Sequence, residues 1–168
     1  MSRGESDRLL LEHMASAGRL AVRLTGDPDM GEDVMQEALV RASRSWRTFR
    51  GQSRFSTWLM RIVVNAFRGC LARRSAAGGL PGELPDGKAA DPSAELSARE
   101  IGQAVAAAVS ALPPRQREVL VLRAYEGLST AEVCELLGID EGTARANLHY
   151  ARRRLRERLA GHLGKDDT

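Results

Sequence analysis

Apolar residues recur at helical spacing along most of this chain, and nowhere do they settle into the alternation of a half-buried strand. Leu10, Met14, Ala17, Ala21 and Leu24 step by fours and threes, which predicts an amphipathic helix over about residues 6–24 with that stripe turned inward. Gly26-Asp27-Pro28 breaks it, and Asp27 is suited to cap a second helix with Pro28 in its first turn. That helix is predicted to reach about Trp46, with Val34, Ala38 and Ala42 on its inner side. Gly51-Gln52-Ser53 reads as a loop. The pairs Trp58/Leu59, Ile62/Val63, Ala66/Phe67 and Cys70/Leu71 then mark a third helix, with Arg61, Asn65 and Arg68 near its polar flank.

Residues 75–92 change character. Gly and Pro dominate, and Glu83, Asp86 and Asp91 outnumber the single Lys88, so this segment reads as a flexible acidic linker. Beyond it, Ser97 with Glu100 has the spacing of a capping box and opens an alanine-rich helix to about Leu112. Pro113-Pro114 ends that helix and starts another over residues 114–126, which Gly127 stops. Ser129 with Glu132 repeats the capping box ahead of a short helix, Thr130 to Leu137. Gly138 permits a tight turn, and Asp140 can cap a final helix through about Leu159. The expected fold class is all-α: two small helical domains, residues 1–74 and 93–168, joined by the flexible linker 75–92.

Composition adds limits rather than a function. The net charge of +3 is small, but it is unevenly spread, and two strongly basic blocks between acidic stretches point to a polyanionic partner. Cys70 and Cys134 lie far apart without metal-ligand spacing, so neither a disulfide framework nor a zinc site is expected. Residues 1–18 mix acids into their sequence and do not resemble a signal peptide. No run approaches the ~20 apolar residues of a membrane-spanning helix. The expectation is a soluble, cytoplasmic protein with no membrane partner, no metal and no cofactor.

Between Glu37 and Glu83 there is no acidic residue, yet nine arginines occur: Arg41, Arg44, Arg47, Arg50, Arg54, Arg61, Arg68, Arg73 and Arg74. Every Trp and Phe of the chain lies among them: Trp46, Phe49, Phe55, Trp58 and Phe67. Arginine meets phosphate with a planar, permanently charged fork, and aromatic rings offer unstacked bases a platform. A solvated basic helix face is the plainer explanation. The complete exclusion of carboxylates favours a nucleic-acid strand, particularly an opened one.

Residues 129–155 have the layout of a helix-turn-helix: a short helix, a sharp turn at Gly138, and a longer helix whose first turns would enter a major groove. Val133, Leu137, Ile139, Ala144 and Leu148 can form the core between the two helices, with the small Cys134 where they approach. The outer face then carries Arg145, Asn147, His149 and Tyr150, followed by Arg152, Arg153, Arg154, Arg156 and Arg158. Arginine can read guanine edges, asparagine can read adenine, and the later arginines would grip phosphates.

Residues 112–155, from Leu-Pro-Pro-Arg-Gln-Arg-Glu-Val-Leu to Leu-His-Tyr-Ala-Arg-Arg-Arg-Leu, resemble region 4 of bacterial sigma factors. This pattern is shared with LuxR-type regulators. Residues 26–42, Gly-Asp-Pro-Asp-Met-Gly-Glu-Asp-Val-Met-Gln-Glu-Ala-Leu-Val-Arg-Ala, resemble sigma regions 2.1–2.2. Residues 49–65, Phe-Arg-Gly-Gln-Ser-Arg-Phe-Ser-Thr-Trp-Leu-Met-Arg-Ile-Val-Val-Asn, resemble regions 2.3–2.4. In this order, across a linker with no region 3 domain, they resemble the extracytoplasmic-function group of the sigma-70 family.

The resemblance implies roles residue by residue. Asp33, Gln36, Glu37 and Arg41 match the face that docks on the clamp helices of the large subunit of core RNA polymerase. Phe49, Arg50, Gln52, Ser53, Phe55, Arg61, Asn65 and Arg68 match the surface that reads the −10 element as an opened strand with a flipped base. Thr143, Arg145, Ala146, Asn147, His149, Tyr150, Arg152 and Arg153 match the −35 reader. The family more usually has serine where Ala146 stands and basic residues where Asn147 and Tyr150 stand, so the −35 sequence read is open. Region 4 also implies a seat on the flap of the second-largest subunit, and the acidic linker would run through the polymerase RNA path. Many members are held inactive by an anti-sigma factor, so the resemblance extends to such a partner.

Two alternatives remain beside a sigma factor at this point. A stand-alone helix-turn-helix regulator would bind duplex DNA without polymerase. An enzyme would need a linked catalytic set, and neither the carboxylates Asp29, Asp33 and Glu37 nor the histidines His13, His149 and His162 have nucleophile–base or metal spacing. No enzymatic activity is expected.

Overall fold

The computed structural model describes residues 2–51, 53–78 and 94–163, which form seven α-helices, one 3-10 turn and no strand. The linker acids Glu83, Asp86 and Asp91, and Gln52 of the predicted −10 loop, lie outside the described residues.

Helix α1 spans Arg3–Thr25 and opens with a capping box that the sequence reading did not include: Ser2 Oγ accepts from the Glu5 amide, and Glu5 accepts from the Ser2 amide. It ends at Gly26, whose φ of 72° is left-handed and free of strain only for glycine. Its buried stripe is Leu10, Ala17, Leu20, Ala21 and Leu24. Met14, expected on that stripe, is 42% exposed, and Leu20 takes the inward place. The helical period places positions 14 and 20 at opposite edges of the stripe, and the packing of α1 against its neighbours covers the edge that carries Leu20.

Helix α2 (Pro28–Ser45) has the expected cap, with Asp27 Oδ1 accepting from the amides of Asp29 and Met30. Val34, Ala38 and Ala42 are fully buried, as their spacing predicts. A 3-10 turn, Trp46–Thr48, leads into the loop before α3 (Phe55–Ala76). Leu59, Val63, Ala66 and Phe67 face the core, while their partners Trp58, Ile62, Cys70 and Leu71 are half-buried against it. Helices α1, α2 and α3 pack on one another.

The second lobe holds α4 (Ala94–Ser110), α5 (Pro114–Ala124), α6 (Thr130–Leu137) and α7 (Glu141–Leu163). Helix α4 begins three residues before Ser97, so that serine lies within the helix and is not its cap. The Ser129–Glu132 capping box is present in both directions, at 3.2 and 2.7 Å. Gly138 closes α6 at φ 67°, and Asp140 caps α7 by accepting from the Thr143 amide at 2.8 Å.

The two lobes are in contact. Helix α1 meets α4 and α5, and α3 meets α6. Leu20, Leu24 and Phe67 belong to the same apolar cluster as Leu112, Val119 and Leu122. At the join, a Cβ on Gly26 would fall 2.2 Å from the Ser110 Cβ, so the approach of α1 to α4 admits no larger residue.

Candidate nucleic-acid interface

Helix α7 presents the clearest surface. Ala144 and Ala151 are buried against the rest of the lobe, and Leu148 and Leu155 are half-buried with them. This seven-residue repetition turns the opposite face outward. Arg145, Ala146, His149, Tyr150, Arg152 and Arg153 are all exposed there. Thr143 is committed to the cap, its hydroxyl donating to Asp140 Oδ2 at 2.6 Å, and this bond with the amide holds the Asp140 carboxyl below its usual pKa. Asn147 is half-buried, and its amide nitrogen donates to the Thr143 carbonyl at 2.8 Å, leaving its oxygen to other partners.

Arg145 pairs with Glu141 at 2.6 Å, but both side chains are more than half exposed. An exposed i,i+4 pair contributes about 0.3–0.5 kcal/mol, whereas a bidentate arginine–guanine contact discriminates by about 1–3 kcal/mol. The internal pair is therefore too weak to fix the Arg145 side chain. Tyr150 is edge-on to His149 at 5.6 Å and carries the Arg153 guanidinium over its ring at 5.4 Å. The result is an exposed basic and aromatic face whose side chains support one another.

The first lobe is built differently. In the loop before α3, Arg50 is exposed and Ser53 half-buried. Phe49, Phe55 and Trp58 contact one another with ring centroids 5.1–5.6 Å apart. Phe55 is only 7% exposed, and its ring also stacks on His13 of α1 at 5.8 Å. It cannot offer a free face to a base and instead supports the loop from beneath. His13 is part of this support, and the sequence alone held no sign of it. Phe49 remains half-buried at the rim, as does Trp58.

Arg61, Asn65 and Arg68 share one side of α3 at i, i+4 and i+7. Asn65 is exposed. Arg61 Nη2 donates to the Glu135 carbonyl at 3.3 Å and lies 3.7 Å from its carboxylate. Arg68 makes a two-pronged ion pair with Glu118, both prongs 2.8 Å, and that hydrogen-bonded carboxylate raises its pKa. Two of the four predicted −10 residues on α3, Arg61 and Arg68, are thus engaged by carboxylate-bearing residues of the second lobe. Neither Glu118 nor Glu135 was a candidate from the sequence.

On α2, Asp33 and Gln36 are exposed, with Val40 between them and the C-terminal turn at 47% exposure. Glu37 bridges Arg73 and Arg41, and these hydrogen bonds, Arg73's foremost, hold its carboxyl below the usual pKa. Glu37 and Arg41 therefore begin as internal partners.

Sigma-70 region 2 matches residues 9–76, and sigma-70 region 4 matches residues 102–155. The chain is 36% identical over 160 residues to the ECF RNA polymerase sigma factor SigE of Mycolicibacterium smegmatis, a match that covers 93% of this chain and 62% of that protein's length. It is also 36% identical over 159 residues to the ECF RNA polymerase sigma factor SigM of Mycobacterium tuberculosis, covering 94% of this chain and 78% of that one. The solved sigma factor RpoE of Bartonella quintana, in complex with the anti-sigma factor NepR, is similar with a TM-score of 0.73 at 25% identity, over 92% of this chain and 96% of that chain. Sigma factors are transcription initiation factors rather than enzymes. The chain belongs to the extracytoplasmic-function group of the sigma-70 family: it is an RNA polymerase sigma factor with region 2 and region 4 lobes, and not a stand-alone helix-turn-helix regulator.

Proposed function

We propose that this chain seats on core RNA polymerase through the outer face of α2, reads duplex −35 DNA with the first turns of α7, and holds the opened −10 strand on the α3 side of the first lobe. The outer face of α7 carries this reading: six of the eight predicted −35 residues stand exposed on it above a buried apolar spine. Arg145 and Asn147 are the base readers, and Arg152 and Arg153 hold phosphates. On the first lobe, Phe49 and Ser53 line the loop mouth for a flipped base, with Asn65 and the two α3 arginines tracking the strand. Flipping takes a few kcal/mol of stacking, which an aromatic rim can return.

On α2, Asp33, Gln36 and Val40 meet the clamp helices of the large subunit, and Glu37 with Arg41 rearranges on docking. Region 4 rests on the flap of the second-largest subunit. An anti-sigma factor is a further partner, a reading supported by the relative held in such a complex. The chain performs no chemistry of its own and works in the cytoplasm beside polymerase and promoter. No helix among the described residues is long and apolar enough to cross a membrane.

The test is run-off transcription with core polymerase. Added protein should yield transcripts from a restricted set of start sites, and it should co-elute with core. Replacing Asp33 and Gln36 together should weaken co-elution roughly tenfold, about 1.4 kcal/mol. Absence of both transcription and co-elution would overturn the reading.

A further inference from the structure

Glu118 is 2% exposed on α5, a helix of the second lobe, and it faces two arginines. Arg68 arrives from α3 with both prongs at 2.8 Å, and Arg115 lies one turn away on the same helix at 3.1 Å. A buried carboxylate requires a cation, because an unpaired charge there is strongly unfavourable. A bidentate arginine–carboxylate fork also uses the same donors that arginine offers to a phosphate. While Arg68 is held by Glu118 it cannot hold a nucleic-acid backbone.

A second contact repeats the arrangement on the same side of α3. Arg61 reaches the carbonyl and carboxylate of Glu135 on α6, the first helix of the helix-turn-helix. Further contacts cross the join beside this pair. Arg117 donates to the carbonyls of Leu24 at 2.5 Å and Leu112 at 3.0 Å and lies over the Phe67 ring at 5.8 Å. Arg23 pairs with Glu126 at 3.0 Å beneath Tyr125. Meanwhile Asp33, Gln36 and Val40 on α2 stay exposed.

We infer that this is a self-inhibited form, in which Glu118 and Glu135 stand in for DNA phosphates on Arg68 and Arg61 and close α3 against the second lobe. The inference rests on the reading of α3 as the −10 surface. Arg115 makes the closure reversible: when Arg68 leaves, it remains beside Glu118 and keeps the carboxylate paired. The open α2 face lets polymerase engage the closed protein first, so the strand-binding arginines are released only on the enzyme. The device limits binding of free protein to single-stranded nucleic acid elsewhere.

The experiment compares the full chain with Glu118→Gln, which keeps the side-chain shape and removes the charge. Small-angle scattering reads lobe separation, and a fluorescent mixed-sequence single-stranded DNA of about 20 nucleotides reads strand affinity. Glu118→Gln should expand the particle and raise affinity about tenfold, the gain expected when an open form populated at roughly one part in ten becomes dominant. Adding Arg68→Ala to that variant should remove the gain while the particle stays expanded. The exposed Glu135→Ala, which threatens no core packing, should give a smaller gain of about twofold to threefold by the same population argument. An unchanged scattering radius in Glu118→Gln and Glu135→Ala alike would overturn the latch. Expansion without any gain in affinity would leave the latch standing as a contact but overturn its inhibitory role, together with the α3 reading.

Discussion

Arg61 and Arg68 on α3 and Arg145 and Arg152 on α7 are the same residue type on the polar side of a long helix, each backed by a buried apolar stripe. Their partners differ. Arg68 is locked to a carboxylate buried at 2% exposure, whereas Arg145 shares a solvent-exposed carboxylate 57% accessible. Removing one member of a buried pair costs about 3–5 kcal/mol, with less at stake here because Arg68 itself is a third exposed and Arg115 remains. The exposed pair on α7 is worth only a few tenths of a kcal/mol. The comparison teaches that a basic helix face in a sequence shows capacity for a polyanion but not availability. The α7 arginines stand exposed in the free protein, while Arg61 and Arg68 on α3 are engaged within it.

The largest way to break this contrast is to remove the ring beneath it. Phe67 is fully buried on α3 and faces Arg117 of the second lobe. Phe67→Ala should destabilise the protein by about 3–5 kcal/mol in urea unfolding, through lost burial and a residual cavity. A loss below about 1 kcal/mol would show that the ring is not central to the join.

A smaller change sharpens the α7 side. Arg145→Ala should weaken −35 discrimination by about 1–3 kcal/mol in run-off assays on promoter variants, while co-elution with core polymerase is unchanged. Equal activity on all promoters before and after the substitution would remove this helix from base reading.

The smallest effect concerns the cap that sets α6 against α7. Ser129→Ala should destabilise the second lobe by about 1 kcal/mol, visible as faster amide exchange in α6. The Ser129 amide, and then its hydroxyl, hold the Glu132 carboxyl below its usual pKa. A lowered folded-state value means the carboxylate's contribution is present above the unfolded pKa and disappears as pH falls through the folded one. Acidification should therefore loosen α6 in the parent chain and have less effect in Glu132→Gln, which removes the titrating carboxylate. Equal sensitivity in both would detach the acid response from this cap.

What could be read from the amino-acid sequence alone was local. The inner residues Val34, Ala38 and Ala42, the Ser129–Glu132 box, the Gly138 turn and the Asp140 cap all follow from groups three or four positions apart, where helix geometry dictates who meets whom. The helix-turn-helix and its outward face followed for the same reason. Met14 and Ser97 were misplaced because each depends on where a stripe or a helix end falls once neighbours are packed, and spacing leaves that uncertain by a residue or two.

Tertiary structure alone decided which arginines are occupied. Arg61, Arg68 and Arg23 meet partners 74, 50 and 103 positions away. No periodicity connects residues so far apart, and every arginine in the basic block has several acids it could in principle meet. Only the packing of α1 and α3 against α4, α5 and α6 selects these partners: Glu118 because burial makes an unpaired charge costly enough to choose its partner, and the exposed Glu135 because α3 and α6 lie side by side.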